Sequence, residues 1–93
     1  MFKKMPSLKM PYNKQGLIYF LCHNYEHMPF EIQKRIINSC IKAGGEYYNS
    51  LFELMTTDKP IQLIAMDGYV SERHLRRLRR KFYEHFFEKT GEE

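Results

Sequence analysis

Apolar residues in this 93-residue chain recur at intervals of three and four. That is the period of a helix face, and no stretch alternates as a half-buried strand would. The clearest run lies between Val70 and Phe87. Leu75, Leu78, Phe82 and Phe86 form one apolar stripe. Ser71 stands where an N-cap hydroxyl can accept from an unpaired backbone N–H one turn later. Val70 before it and Leu75 after it have the spacing of a hydrophobic staple. At about 100° per residue, Arg73, Arg77 and Arg80 fall on the face opposite the stripe, with Arg76 and Lys81 on its flanks.

The same period organises the rest of the chain. Asn13 is placed to cap a first helix reaching about His27, with Leu17, Ile18, Leu21, Cys22 and Tyr25 inward. Pro29 suits the first turn of a second helix, where Ile32, Ile36, Ile37, Cys40 and Ile41 repeat. Gly44-Gly45 either ends that helix or lets it pass close to a neighbour. Tyr47, Tyr48, Leu51, Phe52 and Met55 continue the pattern, so one long kinked helix is the other reading. Asp58 as N-cap and Pro60 as an early residue open a short helix with Ile61, Ile64, Ala65 and Leu63 inward. Asp67 to Val70 is a turn, and Thr90-Gly91 closes the last helix.

These elements predict an all-α fold, a small bundle of four to five helices ending in a helix-turn-helix. Residues 1–12, with Lys3, Lys4 and Lys9 around Pro6 and Pro11, read as a flexible basic arm. Residues 13–90 read as one domain, with the helix-turn-helix over 58–83.

Composition sharpens the picture at one point. Residues 71–90 hold seven Lys/Arg against three Glu, a local excess of four that equals the net charge of the whole chain, +4. A pI near 9.1 favours an anionic partner. Cys22 and Cys40 do not make a disulfide framework, and both fall in apolar stripes as buried thiols. No stretch approaches the roughly 20 apolar residues of a membrane span, and the first twelve residues lack the apolar block of a secretory signal. A cytoplasmic protein is therefore expected. Cys22, His23, His27 and Cys40 lack the spacing of a zinc frame, and Gly44-Gly45 has no following Lys-Ser/Thr to cradle phosphate. No nucleophile can be matched to a base by spacing, so neither enzyme nor cofactor is expected.

Pro60 to Leu78 resembles a helix-turn-helix. Ile64 and Ala65 sit where the first helix needs a core aliphatic and then a small residue, Val70 closes the turn, Ser71 caps, and Leu75 and Leu78 pack the second helix. The motif usually places an apolar residue and then Gly before the turn's aliphatic. Here the order is Gly68-Tyr69, and Gly68 is expected to take the unusual backbone angles. The longer stretch 29–87 is similar to small phage or mobile-element regulators whose motif is like region four of sigma factors. Asp58-Lys59-Pro60-Ile61, Ile64-Ala65, Tyr69-Val70-Ser71-Glu72, Leu75 and Arg77 to Tyr83 carry that likeness.

The resemblance implies a sequence-specific DNA-binding transcriptional regulator, with double-stranded DNA as partner. The helix from 72 to 88 would lie in the major groove. Arg73, Arg76, Arg77 and Arg80 are the candidates for base edges, since guanidinium pairs bidentately with guanine. Ser71 and Lys81 are the candidates for phosphate. Arg79 lies toward the apolar edge and is expected to pair with a carboxylate or backbone, and His74 to be an exposed bystander. Tyr83 and Phe87 would cover a homodimer seam or pack on the first helices. The rival reading is a small phage-type inhibitor that docks on an acidic protein, such as RNA polymerase or another host protein.

Overall fold

Each helix that follows a proline starts immediately after it. The computed structural model describes Met5 and residues 8–88. Its described residues form five α-helices: α1 (Tyr12–His23), α2 (Phe30–Gly44), α3 (Tyr48–Thr56), α4 (Ile61–Gly68) and α5 (Glu72–Phe86). Short 3₁₀ turns at Tyr25–His27 and Gly45–Tyr47 join the first three, and there is no strand among the described residues. Pro11, Pro29 and Pro60 occupy the cap positions of α1, α2 and α4, with φ of −56°, −58° and −58° and extended ψ. Proline has no N–H to lose there, and its fixed φ aims its carbonyl into the first turn. The carbonyl of Pro29 accepts from Ile32 and Gln33, and that of Pro60 from Leu63 and Ile64.

This corrects two expected caps. Asn13 lies inside the first turn of α1, and Asp58 is an exposed linker residue whose carboxylate comes 3.4 Å from His23 Nε2. The first helix also stops at His23, short of His27. Both the backbone N–H and the side-chain Nδ2 of Asn24 donate to the Phe20 carbonyl there, an amide competing with the helix ladder. Gly45 ends α2 with φ +55°, a conformation that disfavours side chains. The single kinked helix is therefore two helices.

Helix α5 packs chiefly on α2, and α3 touches all four others. The core between them contains Ile18, Cys22, Ile36, Cys40, Leu51, Met55, Ile64, Leu75, Leu78, Phe82 and Phe86. Two further members come from unexpected places. Leu8 is buried, and Gln15 is wholly buried yet hydrogen-bonded: its Oε1 accepts from Met5 N (2.8 Å) and its Nε2 donates to Met10 O (2.9 Å). The inner end of the expected arm thus packs on the bundle, while residues 1–4, 6 and 7 lie outside the described residues. At the other end, α5 stops at Phe86, where Arg35 Nη1 donates to the last carbonyl at 2.8 Å. Thr90 and Gly91, expected to close this helix, are outside the described residues.

The two cysteines are buried free thiols. Burial pushes the Cys40 thiol up to about 12, and burial with the nearby Cys40 raises Cys22 further. Thiolate is the reactive form, so neither should react with iodoacetamide at pH 8 in the native protein, whereas both should in urea. Rapid labelling without denaturant would contradict their burial. The sign for stability follows from linkage. Both thiols stay protonated when folded, so their contribution is complete below the ordinary thiol value of about 8.5. It falls as pH rises from there toward 12, because only the unfolded chain ionises in that window.

Candidate nucleic-acid interface

The site begins with the turn between α4 and α5. Val70 N–H bonds to the Ala65 carbonyl (3.1 Å) and Tyr69 N–H to that of Met66 (3.3 Å). With Tyr69 in the left-handed region (φ 55°, ψ 43°), these bonds form a Schellman motif. The expected roles of Gly68 and Tyr69 are therefore exchanged. Gly68 is helical, and a Cβ on it would overlap Ser50 Oγ of α3. Glycine at 68 leaves the Ser50 hydroxyl in place at this close approach, and Tyr69 makes the turn. Its side chain is 93% exposed and recovers little by packing. Left-handed backbone costs a residue with a Cβ about 1–2 kcal/mol. Tyr69→Gly should therefore stabilise the fold by about 1 kcal/mol despite glycine's looser unfolded chain, while Tyr69→Ala should gain nothing. Urea unfolding compares the two, and a destabilising Tyr69→Gly would contradict this account.

Ser71 caps α5 as the sequence indicates, its Oγ accepting from His74 N at 3.0 Å. Leu75, Leu78, Phe82, Tyr83 and Phe86 are buried on one side of the helix. The placed site residues divide by their partners. Arg76 reaches Glu72 (3.2 Å) and Arg80 reaches Glu84 (3.6 Å), each one turn along the helix. Arg73, Arg77 and Lys81 are exposed, and none has an ion-pair partner among the described residues. They recur every four residues, so three uncompensated cations form one line along the outer face. The first-turn N–H groups beyond Ser71 add partial positive charge at its start.

Two expectations about neighbouring residues change, and for Tyr83 the packing alternative holds. Arg79 finds no carboxylate among the described residues. It is half-buried with its Nε buried and unbonded, and desolvation lowers its pKa from the usual guanidinium value. His74 is half-buried, its ring meeting Tyr47 edge-on at 5.5 Å. Tyr83 is a core residue, 3% exposed, so it is not free for a seam, and burial pushes its hydroxyl pKa up. Phe87 does stay at the surface, beneath Lys14 of α1, whose Nζ is 5.7 Å from the ring centre.

The sequence reading missed exposed apolar residues on α4 and the turn that follows it. Leu63 and Met66 of α4 are 46% and 68% exposed, and Tyr69 in the turn before α5 is exposed too. The helical period points Leu63 inward, but it faces solvent. Lys59 steadies this end of α4, with Nζ 2.8 Å from Asp67 and 3.4 Å from Glu53; the hydrogen bond to Asp67 is the main cause of its raised pKa. Away from the interface, His23 and His27 line an open groove of about 430 Å³. No group of three or more His, Cys, Asp or Glu among the described residues is arranged to hold a metal. No helix among them is long and apolar enough to cross a membrane. Comparison with protein-family models, with curated proteins and with solved structures finds no match.

Proposed function

We propose that the protein binds double-stranded DNA in the cytoplasm through α5, as a sequence-specific transcriptional regulator. The observation that carries this reading is the line of Arg73, Arg77 and Lys81 on a helix whose opposite face is buried. A three-residue turn ties that helix to α4. A helix presented in this way fits the major groove, with its N-terminal part nearest the bases. Arg73 and Arg77 are assigned to base edges, Lys81 and the Ser71 end to phosphate. Arg76 and Arg80 already hold carboxylates, so they would have to exchange those partners for DNA.

One observation favours a second reading. Leu63, Met66 and Tyr69 are exposed apolar residues on the helix and turn that precede the cationic α5, a mixture that also suits an acidic protein surface with an apolar centre, such as one on RNA polymerase. NMR titration of the labelled protein with a mixed-sequence duplex at low salt tests the first reading. Amide shifts concentrated from Ser71 to Lys81 would support it. Shifts elsewhere, or none at all, would remove α5 as the DNA-binding element.

A further inference from the structure

Helix α2 carries more apolar surface than the core uses. Its buried side presents Ile36, Cys40 and Ala43, and α5 is its main packing neighbour. On the side facing solvent stand Phe30 (74% exposed), Ile37 (37%) and Ile41 (49%). At about 100° per residue these three fall within roughly 40° of one another, in a line about 16 Å long. Tyr48, 41% exposed at the start of α3, prolongs the patch. No structural duty explains this stripe, and an aromatic ring so exposed at one end resembles an interface anchor awaiting a pocket.

We infer that this face of α2 joins a second copy of the chain, with the two α2 helices antiparallel across a two-fold axis near Ile37. The choice of occupant rests on self-complementarity, which a two-fold interface demands. In the antiparallel pair, Phe30 meets Ile41 of the second copy at each end, and Ile37 lies at the centre. The charges obey the same symmetry. Glu31 and Lys42 lie on one flank of the stripe, within about 20° of each other around the helix. Flanks of like kind face each other in an antiparallel pair, so Glu31 of each copy falls beside Lys42 of the other, twice per dimer. Glu31 is exposed and has no ion-pair partner among the described residues. Lys42 is half-exposed and anchored over this flank by Glu88 at 2.8 Å, with further N–H donors for a second carboxylate. A parallel pair would carry the two charged flanks on opposite sides of the seam, so Glu31 and Lys42 would find no partner across it. The inference stands on α2 alone and holds whether or not α5 binds DNA.

Sedimentation equilibrium on the full chain tests it, with circular dichroism to confirm folding. The native protein should show a concentration-dependent monomer–dimer equilibrium. Ile41→Glu and Phe30→Glu, both at exposed positions, should leave the helix content unchanged and abolish the dimer. Glu31→Lys and Lys42→Glu should each weaken it about tenfold, since each replaces two attractive contacts by repulsive ones. The double exchange E31K/K42E should restore it. Three results would overturn the inference: a monomer even at high micromolar concentration, a dimer indifferent to both glutamate variants, or a double exchange no better than the single ones.

Discussion

Replacing Phe82 by alanine should lower the stability of the protein by about 3–5 kcal/mol, the usual range for removing a buried aromatic ring. Phe82 is fully buried at the centre of the α5 stripe, 5.6 Å from the Phe86 ring and 6.2 Å from that of Tyr83. Close-packed neighbours relax only partly into such a hole, so the lost transfer energy is joined by a cavity term. A domain of this size has only about 5–15 kcal/mol of stability, with small domains at the lower end. Much of the variant should therefore be unfolded in mild urea. Phe87→Ala provides the contrast. That ring is 41% exposed under Lys14, and its loss should cost about 1 kcal/mol or less. Urea unfolding followed by circular dichroism ranks the two, and equal midpoints would contradict the placement of α5 in the core.

The second large effect concerns binding and should leave the fold untouched. A triple variant, Arg73→Ala with Arg77→Ala and Lys81→Ala, should lose at least a hundredfold in affinity for its DNA site. Each contact of this kind contributes about 1–3 kcal/mol, and residues without shared partners act roughly additively. Stability should hold or rise slightly. The three cations form two like-charge pairs four residues apart on one helix, each unfavourable by a few tenths of a kcal/mol. The salt dependence of binding should also become shallower as phosphate contacts are lost. Fluorescence anisotropy with a labelled duplex gives the affinity. Unchanged affinity in a folded triple variant would exclude this face from the contact surface.

Some of this architecture was legible in the residues, for identifiable reasons. Helix α5 is unmistakable because five of its six Lys/Arg residues lie away from the five buried ones, Arg79 being the exception, and because Ser71 is a good cap in the right place. Cys22 and Cys40 could be placed inside because they share stripes with aliphatic neighbours. The failures have physical causes too. Leu17, Ile37 and Ile41 repeat in step with core residues yet are exposed, because period alone cannot tell a buried face from an apolar face that no described residue covers. Helix starts were misplaced because asparagine and aspartate signalled caps where prolines set the boundaries. Leu8 stands alone among the lysines and prolines of residues 1–12, without the period that would mark it as core, and nothing local reveals that Gln15 would reach back for the backbone of Met5 and Met10. The exchange at Gly68 and Tyr69 sets Gly68 against Ser50, a residue of another helix that no reading of the turn by itself can include. At the candidate site, the sequence located the arginines but not their pairing. Two of the four proposed base readers, Arg76 and Arg80, turn out to hold glutamates.

Selection from a random duplex library at about physiological salt tests the central claim most directly, because loose polyanion binding is weak under those conditions. An enriched motif is the predicted result, and a palindromic one would add that two copies bind together. Retention at low salt with no motif enriched at physiological salt would contradict the account, reducing the α5 face to a general polyanion surface.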